Sequence, residues 1–409
     1  MKSRLLSVIA APALAVLALV PGCFGKVEPS PPYCPDAPPT CVTPSVSCAM
    51  PGLAEPTCDE EQHTWSCPAG SSVYSRAATE PTACNPFASD ASPFQSLGGS
   101  LARVPVDGGR CLWVAETVTT AAGASLRNVG LLPSSDGSFA TCPTTSTFGG
   151  GVPTPVVTIE GEADPTLLVQ VDGGILVAGE TRVLYRLFRS DPDATYGVTL
   201  LGGGFGTWDA GRQQIIVPGA DGLLWDPSID PGDASLVVGG TPYVWGCHAP
   251  PQFLSNPCAL ARLDGTTLDY LTSSGAWQSG VDVSQTATVF TSGPWISSVV
   301  ELGGGDGGSG TSLLHVYADG FGSTLETHTA SAVTGPWSSG PTLATCELPS
   351  GDSNAFCAGP VVHEEWMDPT RPSELVVSYG VGTTGTPVQG TASGTLSTSY
   401  WTKLAWASF

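Results

Sequence analysis

From about Phe94 to the end, the chain is built of short apolar runs that are repeatedly broken by Gly and Asp. Examples are Ser100 to Val106, Cys111 to Thr117, Thr166 to Val171, Ile175 to Gly179, Ser235 to Val238, Tyr243 to Trp245, Trp295 to Leu302, Ser312 to Tyr317 and Glu374 to Tyr379. Runs of this length suit strands, and nowhere after the first 22 residues does an apolar period of 3.6 with capping residues predict a helix. Asp-Gly and Gly-Gly supply the positive φ that tight hairpins require. Turns are therefore expected at Val106-Asp107-Gly108-Gly109, Val171-Asp172-Gly173-Gly174 and Val238-Gly239-Gly240. The fold class is all-β.

The hairpins recur about every 60 residues, which divides the chain into units at roughly 94–156, 163–226, 232–281, 288–346 and 357–409. Sheets repeated radially leave only short edges exposed, so five such units predict a five-bladed β-propeller over 94–409. Three β-sandwiches are the structural rival, at about 100 residues each. No Pro-rich or polar linker divides 94–409 to favour them.

The N-terminus carries different information. Lys2 and Arg4 precede the apolar run Leu5 to Val20, which is shorter than the roughly 20 residues a membrane-crossing helix needs. Val20-Pro21-Gly22-Cys23 follows, and together these features resemble a bacterial lipoprotein signal. That resemblance implies residues 1–22 are a signal peptide, cleaved to leave Cys23 lipidated, and membrane attachment through that lipid. Phe24 in place of Asp argues against inner-membrane retention, so the expected location is the cell envelope, lipid-anchored at the outer membrane. Residues 23–57, rich in Pro, Ser and Thr, are expected to form a tether, and 58–93 the rest of a small Cys-rich segment.

Thirteen cysteines become an even twelve once Cys23 is assigned to lipid, which fits an oxidising compartment. Cys34, Cys41, Cys48, Cys58, Cys67 and Cys84 crowd into the N-terminal stretch, whose own pairing the sequence leaves open. Local staples predict Cys247–Cys258 and Cys346–Cys357, leaving Cys111–Cys142 as the remaining pair. No Cys-x-x-Cys occurs, so structural zinc is not expected. The net charge of −22 repels polyphosphates, which excludes nucleic acid as a partner. No cofactor is implied, with Ca2+ the one cation the acidity would admit. Gly303 to Gly310 reads as a flexible loop rather than a calcium repeat, and Gly351-Asp-Ser-Asn354 echoes an esterase motif only faintly.

Several segments, in order, resemble an uncharacterised family of bacterial propeller proteins. Cys111-Leu-Trp-Val-Ala-Glu-Thr117 resembles its "W-x-F-G-D-T" strand, and Cys258 to Leu263 its "c-x-l-a-R-v" strand. Glu326 to Ser338, containing Gly335-Pro336-Trp337, resembles its "G-P-W-s" segment. Val361-Val-His-Glu-Glu365 with Glu374 to Tyr379 resembles its final blade. That family is similar to five-bladed propeller glycosidases such as arabinanases and xylosidases, and Ala163 to Gly174 resembles their "D-P-s-l-f-x-D-x-D-G" blade.

This resemblance implies three acids from the first three blades: Glu116, Asp164 and Asp233. Glycoside hydrolysis needs two carboxyl groups across the scissile bond, one of them kept protonated. Glu116 stands where the family has Asp, and Asp233 where the glycosidases have Glu. A displacement on the order of 1 Å can cost ~100-fold in rate, so binding of carbohydrate or polysaccharide without catalysis is the leading expectation. A glycoside hydrolase using the three acids is the alternative, and a protein-interaction scaffold a third. Trp113, Trp208, Trp245 and Trp366 are candidate stacking faces for sugar rings, and His363 beside Glu364 and Glu365 a candidate ligand contact. Packing between sheets competes for each of these aromatics.

Overall fold

The computed structural model describes residues 34, 36–59, 61–77, 83–86, 94–120, 123–134, 139–161, 164–194, 197–225, 227–248, 256–265, 267–280, 282–292, 297–302, 312–383 and 402–409, with side chains left aside at 94–99 and 230–233. Among these the protein is all-β, with only short 3-10 turns between strands.

Five larger sheets follow one another along the chain. Their first strands are Phe94–Val106, Leu167–Val177, Ile229–Val238, Ser298–Leu302 and Ala355–Val362. In each sheet the next strands add antiparallel, moving outward. The first strands of the fifth, first and second sheets run in the same direction: a Cβ on Gly359 would lie 3.3 Å from Ser100 while Arg103 donates to the Val362 carbonyl, and Glu116 joins Ser100 to Gln170 while a Cβ on Gly174 would lie 3.0 Å from the Val104 backbone. The five first strands line a common cavity, so all five sheets meet around one channel.

Burial follows from this arrangement. One face of every sheet packs on the sheet before it and the other on the sheet after, giving five separate cores. Val104, Val114, Val171 and Tyr185 join the first and second sheets, and Leu184, Trp225, Val244 and Ala261 the second and third. Trp245, Leu260, Phe290 and Val299 join the third and fourth. Leu314, Val316, Leu375 and Val377 join the fourth and fifth, and Trp113, Val129, Val376 and Leu404 the fifth and first. A sheet apolar on both faces reads as a nearly continuous apolar run, which is why strands such as Glu374–Thr383 show little alternation in sequence. In Gly335-Pro336-Trp337, the Trp337 ring packs edge-on against Trp245 and Phe290 and donates to the Val333 carbonyl.

Two of the three expected hairpins turn where the glycines stand, at Gly108 and Gly109 and at Gly239 and Gly240, all with positive φ. The third does not. Leu167–Val177 runs straight through Asp172-Gly173-Gly174 with a bulge after Val171, and the chain turns at Ala178 and Gly179 instead. The reason is close approach: Gly174 lies against Val104 and Pro105 of the neighbouring inner strand, where a Cβ would stand only 3.0 Å from each.

The N-terminal segment is folded further than a tether would be. Cys41–Thr43, Gly52–Ala54 and Ser72–Val73 form a three-stranded sheet, and Thr57–Asp59 pairs with Thr64–Ser66. Ala83–Cys84 then pairs with Lys403–Ser408, so the N-terminal segment supplies the outer strand of the fifth sheet. The ring therefore extends back to residue 83 rather than starting at 94.

Disulfides enforce this. Cys34–Cys58 and Cys41–Cys67 lie within the segment, whereas Cys48–Cys111 and Cys84–Cys142 cross to the first sheet. The expected pair Cys111–Cys142 is thus replaced, because the segment packs on the first sheet and brings nearer partners to both cysteines. Cys247 is bonded to Cys258, and Cys346 to Cys357. The crossing bonds span 63 and 58 residues, and a loop of that size corresponds to about 4 kcal/mol in the chain-entropy view.

Ion pairs hold the same junction. Arg76 donates to Asp368 at 2.7 Å and to both oxygens of Glu374 at 2.7 and 2.8 Å, and the Tyr74 hydroxyl donates to Asp368 at 2.9 Å. Arg76→Ala would leave two carboxylates in a desolvated site without their cation, a change that costs roughly 3–5 kcal/mol. Urea unfolding is expected to show that loss, while Arg182→Ala, which removes an exposed pair with Glu180, is expected to cost at most about 1 kcal/mol.

Candidate functional site

The channel has two unlike ends. Where the inner strands finish, Ser47, Cys48 and Ala49 of the N-terminal segment lie across it together with Glu364. The Ser47 amide donates to the Gly109 carbonyl in the first hairpin, and Arg103 donates to the Cys48 carbonyl. The remaining cavity has a volume of about 270 Å³, lined by Arg103, Asp172, Ser235, Ser297 and Ser298 among others. Asp172 faces it while held by Arg186 through two hydrogen bonds of 3.0 and 2.7 Å.

Glu116 lies toward the other end, where the inner strands begin. Its carboxylate accepts from the Ser100 amide at 3.4 Å and from Gln170 Nε2 at 3.5 Å, so it spans the first and second sheets and remains partly exposed. Asp164 stands at the turn leading into Leu167–Val177. One of its oxygens accepts from the Thr166 hydroxyl at 2.7 Å and the Thr166 amide at 2.9 Å, and these bonds hold its pKa below the usual value. Asp233 falls in the bulge between Pro231 and Ala234 of Ile229–Val238, and its side chain lies outside the described residues. No hydrogen bond joins Glu116 to Asp164 among the described residues, and no group of three or more His, Cys, Asp or Glu there is placed to hold a metal.

The proposed stacking residues divide by burial. Trp113 and Trp245 have no exposed surface and sit in the cores between sheets. Trp208 packs on Phe148 and donates to Asp107 at 2.8 Å, beside the first hairpin. Trp366 meets Trp113 edge-on and borders a crevice of about 710 Å³ between the N-terminal sheet and the first sheet. None of the four lines the channel cavity.

His363 belongs to a buried relay. Its Nδ1 is 2.9 Å from Glu365 Oε1, and its Nε2 is 2.8 Å from Ser378 Oγ. Glu365 also accepts from Trp113 Nε1 at 2.7 Å and lies 2.8 Å from Arg103 Nε. Burial would raise the pKa of Glu365, but Arg103 and His363 pull it down to about 2. An ionised Glu365 fixes the proton of His363 on Nδ1, leaving Nε2 to accept from Ser378. The order Ser, His, Glu matches that of a hydrolytic triad. Ser378 and His363 both have zero exposure, so the relay braces the fifth sheet against the first and reaches no substrate.

Arg103, Gln170 and Asp172 are the site residues that sequence reading passed over. Arg103 was visible as a lone cation within the apolar run Ser100 to Val106, a place that calls for an ion partner. Asp172 was assigned to a turn, which hid its pairing with Arg186.

No family model matches the sequence, and no curated protein sequence matches it. Solved structures do resemble it. A candidate hydrolase from Bacteroides ovatus superposes with a TM-score of 0.53 at 13% identity, covering 79% of this chain and 88% of that one. A glycoside hydrolase family 43 arabinoxylan arabinofuranohydrolase from Bacillus subtilis, solved with cellotetraose, gives a TM-score of 0.42 at 15% identity, over 76% of this chain and 63% of that one. A family 43 enzyme from Xanthomonas citri, solved with xylotriose, gives 0.42 at 15% identity, over 80% and 90%. The likeness is one of fold, and it rests on the first of these structures.

The histidines make stability depend on pH. Burial lowers the pKa of His363, of His315 and of His328, the last two stacked with Tyr317. Each is neutral in the folded chain and takes up a proton more readily once unfolded, so stability is full above about pH 6.5 and falls below it. Glu365 adds a second loss as pH falls from about 4.5 toward 2. A Tm flat from pH 7 to 8 and descending from pH 6.5 is expected, with a shallower descent in His315→Phe, which cannot be protonated.

Proposed function

We propose that the chain is a lipid-anchored protein of the bacterial cell envelope, whose five-bladed propeller binds carbohydrate at the end of the channel where the inner strands begin. The position of Glu116 carries this reading. It is a carboxylate held between two inner strands by an amide N–H and a side-chain amide, partly open to solvent, at a position that the glycosidase resemblance also singles out. A carboxylate in such a place accepts bonds from sugar hydroxyls. Signal-like residues 1–22, the cysteine parity and the six disulfides support the envelope location.

Binding is favoured over hydrolysis by Asp164. One of its oxygens is held by Thr166 in its own turn and the ionised form is favoured, which does not suit the protonated general acid that hydrolysis needs. The test is titration calorimetry of the mature protein with arabinan, xylan and arabinoxylan oligosaccharides, alongside assays of reducing-sugar release. Saturable binding without release is expected. Glu116→Gln should keep most of the affinity, because the amide oxygen still accepts, whereas Glu116→Ala should lose about tenfold or more, the weight of a hydrogen bond to a charged group. Release abolished by Glu116→Gln would instead establish the hydrolase. Absence of binding to every glycan would leave the scaffold reading.

A further inference from the structure

Among the described residues, hydrogen bonds link serine to histidine in two relays, and one of them reaches the channel. Ser378 and His363 are sealed between the fifth and first sheets with no exposure. Ser297, directly before the inner strand Ser298–Leu302, stands on the wall of the channel cavity of about 270 Å³. Its Oγ is 2.9 Å from His315 Nε2, and His315 Nδ1 is 3.2 Å from His328 Nδ1.

The register of the fourth sheet makes this line-up. Val299 pairs with His315 and His315 with His328, so one row of side chains leads from the channel outward across three strands. The Phe290 ring stacks 4.0 Å from that of His315, and Tyr317 stacks on both imidazoles at 5.1 and 4.8 Å, which fixes their planes. Two ring nitrogens that face each other share one proton. Burial disfavours the charged form of either ring, so both are neutral. With the shared proton on His315 Nδ1, Nε2 is left to accept from the Ser297 hydroxyl. Nucleophile, base and base-orienting group then stand in the order that acyl transfer needs. Each inner strand is also the edge of its sheet, which turns backbone N–H groups outside the ladder toward the channel. Backbone donors of this kind are what a tetrahedral oxyanion requires.

We propose that Ser297, His315 and His328 form an esterase site in the channel wall that cleaves short-chain carboxylic esters through an acyl-serine intermediate. Ser297 Oγ attacks the ester carbonyl carbon and gives its proton to His315 Nε2, while His315 passes its Nδ1 proton to His328. The imidazolium charge thus rests on His328, the positioning residue. The tetrahedral centre then expels the alcohol, which takes a proton back along the same route and leaves the acyl group on Ser297. Water attacks that acyl group by the same steps and releases the carboxylic acid. Ser297 keeps only 3% of its surface exposed, and the cavity is smaller than the roughly 300 Å³ at which drug-sized pockets begin, so the acyl group is as small as acetyl. The inference stands apart from carbohydrate binding at Glu116, since ester cleavage releases no reducing sugar.

The test treats the purified protein with methanesulfonyl fluoride, a serine reagent of acetyl size, and locates the modified residue by mass spectrometry. Modification at Ser297 is expected, absent in Ser297→Ala and slowed about 100-fold in His315→Gln, the weight of a general base. Hydrolysis of para-nitrophenyl acetate is expected to fall to the buffer rate in Ser297→Ala. His328→Phe should lower kcat with KM unchanged, and His328→Asn, whose amide oxygen still accepts from His315, should recover most of it. An unmodified wild-type protein, modification at Ser378 or another serine in place of Ser297, or undiminished acetate release by Ser297→Ala would overturn the proposal. Labelling of the wild-type protein decides the matter even if a buried histidine variant does not fold.

Discussion

A ring of sheets made from an open chain has one seam, and everything else in this structure depends on how that seam is held. The seam lies between the first and fifth sheets. Strand Ala83–Cys84 completes the fifth sheet from the N-terminal side, two disulfides bind the same segment to the first sheet, and Arg76 reaches Asp368 and Glu374 of the fifth. The buried relay of Arg103, Glu365, His363 and Ser378 crosses the seam nearer the channel, tying Trp113 of the first sheet to the strand Glu374–Thr383. With the seam closed, all five cores are enclosed. With it open, the first and fifth sheets would each expose an apolar face.

Closure also gives the channel its polarity. The segment that bonds to Cys111 passes Ser47 to Ala49 over the end where the inner strands finish, and Arg103 ties Cys48 to that position. The opposite end, where Glu116 sits between the first two sheets, is the one proposed above for carbohydrate. One set of interactions serves stability and access together, and the same segment leads back toward the proposed lipid anchor.

The fold was legible in the sequence to the extent that it is written in local chemistry. Gly108 and Gly109, and Gly239 and Gly240, announce hairpins because only positive φ satisfies so tight a turn. Asp172-Gly173-Gly174 carries the same letters for another reason, close contact with Val104, and a local reading cannot separate the two. Cys111 and Cys142 misled for a related cause: their partners, Cys48 and Cys84, are set by docking of the N-terminal segment, which no spacing reveals. Among the site residues, Trp113 and His363 were named as ligand contacts for an aromatic face and an imidazole, whereas their bonds to Glu365 and, for His363, to Ser378 are buried between sheets, a setting that residue type alone does not announce. Glu116 and Asp164 were named through resemblance, and only the folded structure distinguishes a carboxylate shared between sheets from one bonded within its own turn.

Disulfide mapping of the mature protein tests closure of the seam most directly. Digestion without reduction, followed by mass spectrometry, should yield linked peptides containing Cys48 with Cys111 and Cys84 with Cys142. Recovery of Cys111 linked to Cys142, with Cys48 and Cys84 paired inside the N-terminal segment, would contradict it and leave the ring without its N-terminal fastening.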